Sequence, residues 1–464
     1  MLGAVALLAV ALIVALVLVD PNAHKPRVEA AASRALGMEV RVNGPLSLRW
    51  RPGPHLLLHD VQAHKHGADI AVVREVVVNL EWAALLRGDL RVRSLELHDG
   101  VLTIVRAPDG RFNFQRDVPG PPRPPHDGPD VSFARATISY ADMRWPRRIE
   151  GRQCRGELRR IHMAGGDRRF LAGLSLHGEA ACAEVHAGDL LLADASAVAA
   201  VQDGVFEFQP LKARLFDVPT SGRVRADFSA APPAYQVEHT LQQVPAQPLL
   251  RALSLRQMAS GRVDFSARLA MRGHNAEELQ QSMQGTLTLR GRGLTYNGAD
   301  LDAQLQRFES SRNLNLFDIG ALFLAGPAGL IVTKGIDMAA TTQGERGHSE
   351  IRMLVSDWVV ERGAARTHDV AMATSTHRVA LKGGIDLVNA RFDGMAVALI
   401  DAKGCATAQQ HLSGKLDKPV VERRNPVEAI AAPAVRLIKK GAELIGADSC
   451  DVFYAGTVPA PTPK

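Results

Sequence analysis

Apolar residues recur at every second position along most of the chain between Met38 and Ile400, which predicts β-strands with one apolar and one polar face. The clearest example is the segment 70–82, where Arg74 interrupts the apolar positions and Glu75 opposes them. The residues predicted to share the apolar face of this strand are Ile70, Val72, Val76, Val78, Leu80 and Trp82. Leu95 and Leu97 continue the pattern in the next predicted strand. Roughly twenty such segments predict a mainly β protein built from one long, mostly antiparallel sheet or from a few stacked meanders.

Helical spacing is confined to the two ends of the chain and a short central region. Lys25–Leu36 has Pro26 in its first turn and Gly37 directly after it, which predicts a helix with those ends. Short helices are predicted at Gln247–Met258 and at Asn275–Met283. A last helix is predicted after Asn425, and its apolar stripe reaches Leu444. That stripe favours packing on the sheet, and the alternative is a helix on a membrane surface or over a groove.

The first 19 residues are apolar and uncharged, and as a helix they would span about 28 Å, enough for a bilayer core. The alternative is a cleaved signal peptide, but no basic start and no small-x-small site precede Asp20. An uncleaved transmembrane anchor is therefore predicted. Lys25, Arg27 and Arg34 lie just after the span, and the positive-inside rule would place the body of the protein in the cytoplasm.

The four cysteines favour a location in the periplasm instead of the cytoplasm. They fall into two separated pairs, Cys154 with Cys182 and Cys405 with Cys450, and none has the CxxC spacing of a zinc site. Nearest-neighbour disulfides are one of three pairings and would suit an oxidising periplasm. Buried free thiols are the alternative.

Composition and motifs indicate no catalysis. The chain is 46% hydrophobic and 22% charged with a net charge of +6, which is globular and does not by itself imply nucleic acid. Ser175 lies in GLSLHG, which misses the nucleophile-elbow spacing by one residue. We therefore predict no enzyme activity, no cofactor, no metal site and no nucleic-acid partner. The histidines that come closest to a metal-binding set are interpreted as exposed loop residues; they are His55, His59, His64 and His66.

Two further segments allow a membrane interpretation. Arginines are dense between Arg144 and Arg160, which favours a solvated strand face or, alternatively, contact with anionic lipid headgroups. The apolar segment Ile319–Val332 is too short to span a bilayer and is predicted to be a buried or interfacial element.

Several motifs, taken in order, resemble the AsmA family of envelope proteins. After the apolar start come Asp20-Pro21-Asn22, the helix that begins Lys25-Pro26, and the strand VNGPLSL after Gly37. The turn LLRGDL at 85–90 and the ending DGRFNF at 109–114 are also similar, so that the order and spacing match over residues 1–116. Looser likenesses are GRVDF at 261–265, GTLTL at 285–289, RTHD at 366–369 and LSGKL at 412–416. Residues 131–245 match no motif of the family.

The resemblance implies a protein anchored in the inner membrane of Gram-negative bacteria, with most of the chain in the periplasm. The family, with TamB and the chorein-type lipid-bridge proteins, builds a taco-like β-groove that carries phospholipid and maintains the outer membrane. The implied organisation is a transmembrane anchor (1–19), an AsmA N-terminal, chorein-like β domain (20–116), a proline-rich linker (117–130), a middle β-groove (131–260), an AsmA-like C-terminal β region (261–420), and a C-terminal helix and tail (421–464).

On this interpretation the partners are phospholipid and the inner membrane, with other envelope proteins as further candidates. The candidate groove residues are Val72, Val76, Val78, Leu80, Trp82, Leu95 and Leu97. One alternative is a periplasmic scaffold for outer-membrane protein assembly, in which the same apolar faces form a covered core. Another is an anchored hydrolase of unrecognised geometry. The first two differ in whether the apolar strand faces are open or covered.

Overall fold

A computed structural model describes residues 21–50, 53–85, 91–115, 124–143, 148–165, 170–188, 190–252, 259–297, 300–311, 323, 347–416, 418–421, 450 and 452–461. The predicted anchor at 1–19 and the predicted helix after Asn425 lie outside these residues, as does the segment 319–332 apart from Phe323. Among the helices that are described, none is both long and apolar enough to cross a bilayer.

The chain is mainly β, as predicted, and its contacts divide it into two units. Unit 1 comprises residues 1–213 and 225–231, and unit 2 comprises residues 214–224 and 232–464. Strands β11 (Val205–Leu215) and β12 (Val218–Asp227) contribute residues to both.

The regular elements of unit 1 are α1 (Lys25–Leu36), β1 (Glu39–Val42), β2 (Leu46–Arg49), β3 (His55–Lys65), β4 (Ala68–Leu80), α2 (Trp82–Leu85), β5 (Val92–Arg106), β6 (His126–Asp127), β7 (Asp130–Asp142), β8 (Arg148–Met163), β9 (Leu174–Ala187) and β10 (Leu190–Gln202). Strands β1 and β2 both pair with β3, and β3, β4 and β5 are antiparallel neighbours. Strand β5 then pairs in parallel with β7, and β7 to β10 are antiparallel again.

Helix α1 has the predicted ends, with Gly37 in the left-handed conformation at its C-terminus (φ 73°). It closes the first edge of the sheet, because three polar side chains in and just before it take the place of a neighbouring strand. Asn22, Glu29 and Ser33 accept hydrogen bonds of 2.9, 2.7 and 2.9 Å from backbone N–H groups of β2 and β1. The donors are Leu46, Val42 and Val40. One helical turn (about 5.4 Å) and two strand residues (about 6.6 Å) are similar in length, so one helix face can serve alternate N–H groups.

Three expectations for unit 1 are corrected by the structure. Strand β4 ends at Leu80 and Trp82 begins α2, so Trp82 does not belong to the strand face on which it was predicted. His55, His59 and His64 lie in β3 rather than in a loop, because β3 pairs with β4 along its whole length. The segment 117–130, predicted to be a linker, contains the short strand β6, which pairs with β8.

Unit 2 contains β13 (Ala234–Pro245), α3 (Ala246–Ala252), β14 (Ala259–Ser260), β15 (Arg262–Arg272), α4 (Ala276–Ser282), β16 (Gln284–Asn297), α5 (Leu301–Ser311), β17 (His348–Glu361), β18 (Ala364–Ala373), β19 (Arg378–Asp386), β20 (Arg391–Ile400), β21 (Ala406–Lys415) and β22 (Lys418–Val421). Strand β13 pairs with β15, and β15 to β22 are antiparallel neighbours in chain order. The helix predicted at 275–283 is α4, capped as expected by Asn275, whose side chain accepts from the Glu278 N–H at 2.9 Å. Helix α3 lies within the helix predicted at 247–258 apart from its first residue, and residues 253–258 are outside the described part.

The core of unit 2 is covered on both faces of its sheet. On one face, Val355, Ala371, Ala380 and Ala398 are directly opposite one another on four neighbouring strands. These small side chains leave a trough in which Tyr454 and Val458, from the end of the chain, are buried. On the other face the Trp358 indole N–H donates to Ser356, whose hydroxyl donates to the Phe323 carbonyl, each at 2.7 Å. Phe323, from the predicted buried or interfacial segment, is fully buried.

Polar contacts hold the end of the chain in the trough. The buried Asp369 carboxylate accepts hydrogen bonds from the Tyr454 hydroxyl (2.5 Å), the Thr457 hydroxyl (2.6 Å) and the Thr457 N–H (3.0 Å). Arg378 donates to the Val458 carbonyl at 2.9 Å, and its guanidinium lies 5.6 Å from the centre of the Tyr454 ring. Cys450, just before this segment, forms a disulfide with Cys405, which lies just after β20.

Candidate functional site

The strands of unit 1 have a common irregularity halfway along their length. At this level each strand carries a solvent-exposed residue, and we call these seven residues the kink row: Asp60, Arg74, Asp99, Arg135, Gln153, Ala183 and Asp194. The pairing registers place the four residues of β3, β4, β5 and β7 side by side, and likewise the three of β8, β9 and β10. Between the two groups, the register of β7 with β8 is irregular at this level. Five of the seven have a positive φ between 49° and 54°, which is uncommon for residues other than glycine.

The kink row changes which side chains share a face. Val73 and Val76 are three residues apart on β4, yet both belong to one buried cluster with Leu58 of β3. On β8, a Cβ at Gly151 would lie 2.8 Å from the Cys154 Sγ, so these two residues also face the same side. In a regular strand, residues three apart point to opposite faces. The kink therefore reverses the alternation in the middle of each strand.

The reversal keeps apolar residues on one side through the middle of all seven strands. The residues on that side that flank the kink row are Leu58 and Val61, Val73 and Val76, Leu97 and Gly100, Phe133 and Ala136, Gly151 and Cys154, Cys182 and Val185, and Leu192 and Ala195. We call this surface the apolar face. Its continuity depends on one feature in the middle of each strand: two residues that are three positions apart face the same side. Strict alternation does not contain this feature.

The candidate groove residues are divided by this rearrangement. Val76, Val78, Leu95 and Leu97 come together on the apolar face, where Val76 pairs with Leu97 and Val78 with Leu95. Val72 lies on the opposite face, because the kink at Arg74 intervenes and Val73 takes the place predicted for it. The assignment of Val72 to the same face as Val76 is therefore wrong. Leu80 is half-buried at the end of β4, where its N–H donates to the Pro54 carbonyl.

Bulky side chains lie flat against this face because glycines on the neighbouring strand make room for them. A Cβ at Gly156 would lie 2.5 Å from the ring of Phe133, and one at Gly178 would lie 2.6 Å from Leu158. Close cover of a glycine by a large cross-strand neighbour is a common way to keep a sheet surface smooth.

The apolar face is less covered than the core of unit 2. Helix α1 packs over its first strands, where Val28 joins the cluster of Val42, Leu46 and Val76. Farther along, side chains such as Leu102, Ile138, Leu158 and Leu192 are only half-buried, whereas the trough of unit 2 is fully buried. The disulfide between Cys154 and Cys182, in the pairing predicted, joins β8 to β9 within this face, and Cys154 is 0% exposed.

Aromatic rings lie at one end of the apolar face. The guanidinium of Arg106, the last residue of β5, is 5.7 Å from the Phe112 ring centre and 6.0 Å from that of Phe228. Phe112 is also 6.3 Å from Phe170, which precedes β9. Since β9 begins at the opposite end of the sheet from Arg106, a flat sheet would hold these groups about 40 Å apart. The contacts therefore show that the sheet of unit 1 is strongly coiled.

The opposite face of the same strands is polar and carries paired charges. The kink-row residues Arg135 and Asp99 form a two-bonded ion pair (2.6 and 2.8 Å), and the hydrogen bond from Arg135 holds the Asp99 pKa below its usual value. In the arginine-rich segment, Arg152 pairs with Glu150 at 2.8 Å and Arg159 pairs with Glu157. A concavity of about 550 Å³ on this face is lined by charged residues, among them Arg155, Glu157, Glu179 and Lys212. Small apolar residues such as Ala181 and Val198 complete its lining.

Groups that resemble catalytic constellations have structural roles. Asp302 accepts hydrogen bonds from the Thr376 hydroxyl (2.7 Å), the Thr374 hydroxyl and His377 Nδ1 (2.9 Å), all at one oxygen. Burial raises the Asp302 pKa, but these hydrogen bonds outweigh it and hold the pKa below its usual value. Thr376 Oγ1 also lies 2.8 Å from His377 Nδ1, and Thr374 exchanges hydrogen bonds with the His377 backbone. The group therefore ties the start of α5 to the turn between β18 and β19. Across the part of the chain that is described, no three His, Cys, Asp or Glu residues are grouped to hold a metal ion.

The fold and this face define a mainly β protein that presents an uninterrupted, half-exposed apolar sheet surface. A family model described as the AsmA family matches residues 1–132 and 174–350, and the chain belongs to that family. Neither the curated proteins nor the solved structures contain a match.

The residues covered by the family match differ from those covered by the sequence motifs. It includes residues 174–245, where no motif was recognised, and it stops before the looser likenesses at 366–369 and 412–416. AsmA family proteins are associated with the cell envelope, and the family is not a known enzyme family. Membership and the large sheet are compatible with lipid transport or another envelope function.

Proposed function

We propose that this protein is anchored in the inner membrane and binds or conducts phospholipid along the apolar face for outer-membrane lipid homeostasis. The observation that carries the proposal is the alignment of half-buried apolar side chains across seven strands, maintained by the kink row. Exposing a 16-carbon acyl chain to water costs about 12 kcal/mol, so a carrier must offer it continuous apolar surface. Seven strands extend about 29 Å across the sheet, close to the thickness of a bilayer core.

The alternative function is a periplasmic scaffold that assists outer-membrane protein assembly. In that case the apolar strand faces would form a covered core. The observation that favours it is the trough of unit 2, where Tyr454 and Val458 cover a row of small side chains on the sheet. Neither function requires catalytic residues, and we propose that the protein is not an enzyme.

Two neighbouring alanines of β9 provide a matched test. Ala180 lies on the apolar face, directly opposite Gly156 of β8 and Ala197 of β10. Ala181 lies on the polar face, opposite Arg155 and Ser196. Both alanines are half-buried, so the same substitution can be made at two positions that differ mainly in the face they occupy.

We expect Ala180→Glu to abolish lipid binding, because it places a charge where a hydrocarbon chain must lie, at a cost of several kcal/mol. Ala181→Glu should bind lipid like the wild type, since its carboxylate would be opposite Arg155. The measurement is phospholipid bound per mole of protease-resistant protein, by mass spectrometry. A folded Ala180→Glu variant with a full lipid load would contradict the proposal. A variant that does not fold would favour the scaffold function.

The proposed location follows from the apolar segment 1–19 and from the family. Residues from Asp20 onward would lie in the periplasm. A reporter enzyme fused after Lys464 that is active only in the periplasm should therefore be active. Activity of a cytoplasm-only reporter at the same position would show the opposite topology.

A further inference from the structure

The kink row carries charges of alternating sign on the polar face of unit 1. On β3, β4, β5 and β7 its members are Asp60, Arg74, Asp99 and Arg135, and the registers place them side by side. All four are exposed. Asp99 and Arg135 are bonded to each other, whereas the side chains of Asp60 and Arg74 have no hydrogen bond or ion pair within the described part of the chain. Since neighbouring strands are about 4.8 Å apart, the signs alternate over about 14 Å.

This order of charges is complementary to a second copy of itself. If two such sheets face each other across a two-fold axis that runs parallel to the strands between β4 and β5, β4 of one copy faces β5 of the other, and β3 faces β7. Arg74 of one copy then faces Asp99 of the other, and Asp60 faces Arg135. Each contact occurs twice, as in every dimer with two-fold symmetry. A row of one sign would instead bring like charges together, which is destabilising.

The row of residues on one side of these charges fits the same axis. It consists of Gln62, Val72, Val101 and Thr137. Val72 is half-buried, and Val101 is 49% exposed, although it is a large apolar side chain on a polar face. The axis places Val72 of one copy against Val101 of the other, so that both leave water on contact. Gln62 faces Thr137, and an amide and a hydroxyl can share a hydrogen bond.

The row on the other side of the charges also fits the axis. It consists of His59, Glu75, His98 and Ala134. The axis places Glu75 of one copy opposite His98 of the other, and a carboxylate can accept a hydrogen bond from an imidazole. Three neighbouring rows therefore become complementary under one symmetry operation, although the charges alone define the axis.

We propose that two copies of this chain form a dimer by packing the polar faces of unit 1 on each other about this axis. Sheets that pack face to face lie about 10 Å apart with their strands nearly aligned, which brings opposing side chains into contact. A standard interface uses about 20–30 residues a side, and three rows of four are fewer, so the dimer dissociates readily and is weakened by salt. The apolar face of each copy stays open, and the inference does not depend on the proposed function.

Charge reversal at the two central positions tests the dimer. In Arg74→Asp, two carboxylates face each other at both symmetric contacts, and the dissociation constant should rise by about tenfold or more. Asp99→Arg brings two guanidinium groups together and should have the same effect. Arginine is compatible with the positive φ of Asp99 (54°), since Arg135 has a φ of 53° in the same row. The measurement is sedimentation equilibrium of the full-length protein in detergent at low salt.

An equimolar mixture of the two variants tests the axis itself. Each row is then complementary to the other, because the new Asp at position 74 faces the new Arg at position 99, and the original Asp99 and Arg74 face each other. The mixture should therefore form a dimer with about the wild-type dissociation constant. Arg152→Asp is the control, because Arg152 is an exposed arginine on the polar face of β8 outside the three rows and should dimerise like the wild type.

Three results would overturn the proposal. The first is a wild type that stays monomeric at every concentration. The second is a protease-resistant Arg74→Asp variant that dimerises like the wild type, which would place the contact elsewhere, such as in the apolar segment 1–19. The third is a mixture of two folded variants that stays monomeric. If Asp99→Arg does not fold, Arg74→Asp is compared with Arg74→Lys, which keeps the charge and should dimerise like the wild type; equal dissociation constants for these two variants would also overturn it.

Discussion

The carboxylate of Asp369 should hold the end of the chain in the trough of unit 2. It is 7% exposed and accepts three hydrogen bonds from Tyr454 and Thr457. In Asp369→Asn, an NH₂ group replaces one carboxylate oxygen. That group donates hydrogen bonds and cannot accept one from the Tyr454 or Thr457 donors. Tyr454→Phe removes both the bond to Asp369 and the acceptor of the Val458 N–H (3.0 Å).

The expected losses depend on the number of bonds broken. A hydrogen bond to a charged group contributes about 1.5–3 kcal/mol, and a buried donor left without a partner costs about 1–3 kcal/mol. We therefore expect Asp369→Asn to lower the free energy of unfolding of unit 2 by about 3–4 kcal/mol and Tyr454→Phe by about 2–3 kcal/mol. Asp393→Asn is the control, because its ion pair with Arg366 is exposed and should contribute less than about 1 kcal/mol.

The assay is urea unfolding followed by the fluorescence of Trp358, which is 1% exposed in unit 2, after Trp50, Trp82 and Trp145 have been replaced by Phe. Asp369 also predicts a pH dependence. Burial raises its pKa, but the bonds from Thr457 and Tyr454 outweigh it and hold the pKa below its usual value. Its contribution is therefore complete above the unfolded pKa of about 3.9 and is lost as the pH falls through the lower, folded pKa. The Asp369→Asn variant has no carboxylate at this position and should not show this loss of stability at low pH.

A loss below about 1 kcal/mol in Asp369→Asn, together with an unchanged pH dependence, would show that the hydrogen bonds do not hold the tail. The burial of Tyr454 and Val458 against the alanine row would then be sufficient by itself.

Two further predictions concern the edge and the disulfides. Glu29→Leu should destabilise unit 1 by about 1–2 kcal/mol and promote self-association, because it leaves the Val42 N–H on an edge strand without its acceptor. Denaturant unfolding measures the first effect and light scattering the second. Glu29→Gln keeps an acceptor and should behave like the wild type. Cys405 and Cys450 should resist alkylation until reductant is added to protein isolated from the periplasm, since the structure joins them; complete alkylation of native protein without reductant would refute that disulfide.

Local signals in the sequence were sufficient for several elements. The ends of α1 and the cap of α4 depend on residues within one turn of the helix, such as Gly37 and Asn275. Strand content could be predicted from alternation, which is also local. The family could be recognised because its motifs lie at fixed spacings near the start of the chain.

Which residues form the apolar face could not be predicted from any single strand. Alternation assigned Val72 to that face, whereas the structure places Val73 there, because Arg74 stands in a row with Asp99 of β5 and Asp60 of β3. A polar pair in the middle of one strand is an ordinary interruption. Only its repetition at the same level in neighbouring strands identifies a row, and that level is known only once the registers are known.

The same reason applies to the trough and to the ion pair between Arg106 and Asp142. Ala371, Ala380 and Ala398 are ordinary strand residues until three registers bring them opposite one another. Arg106 and Asp142 are 36 positions apart and become neighbours only through the parallel pairing of β5 with β7. The amino-acid sequence by itself determined the mainly β character of the chain and where α1 and α4 begin, because those features depend on nearby residues. The tertiary structure decided which side chains share a surface, because a one-residue change in the phase of a strand moves every later side chain to the other face.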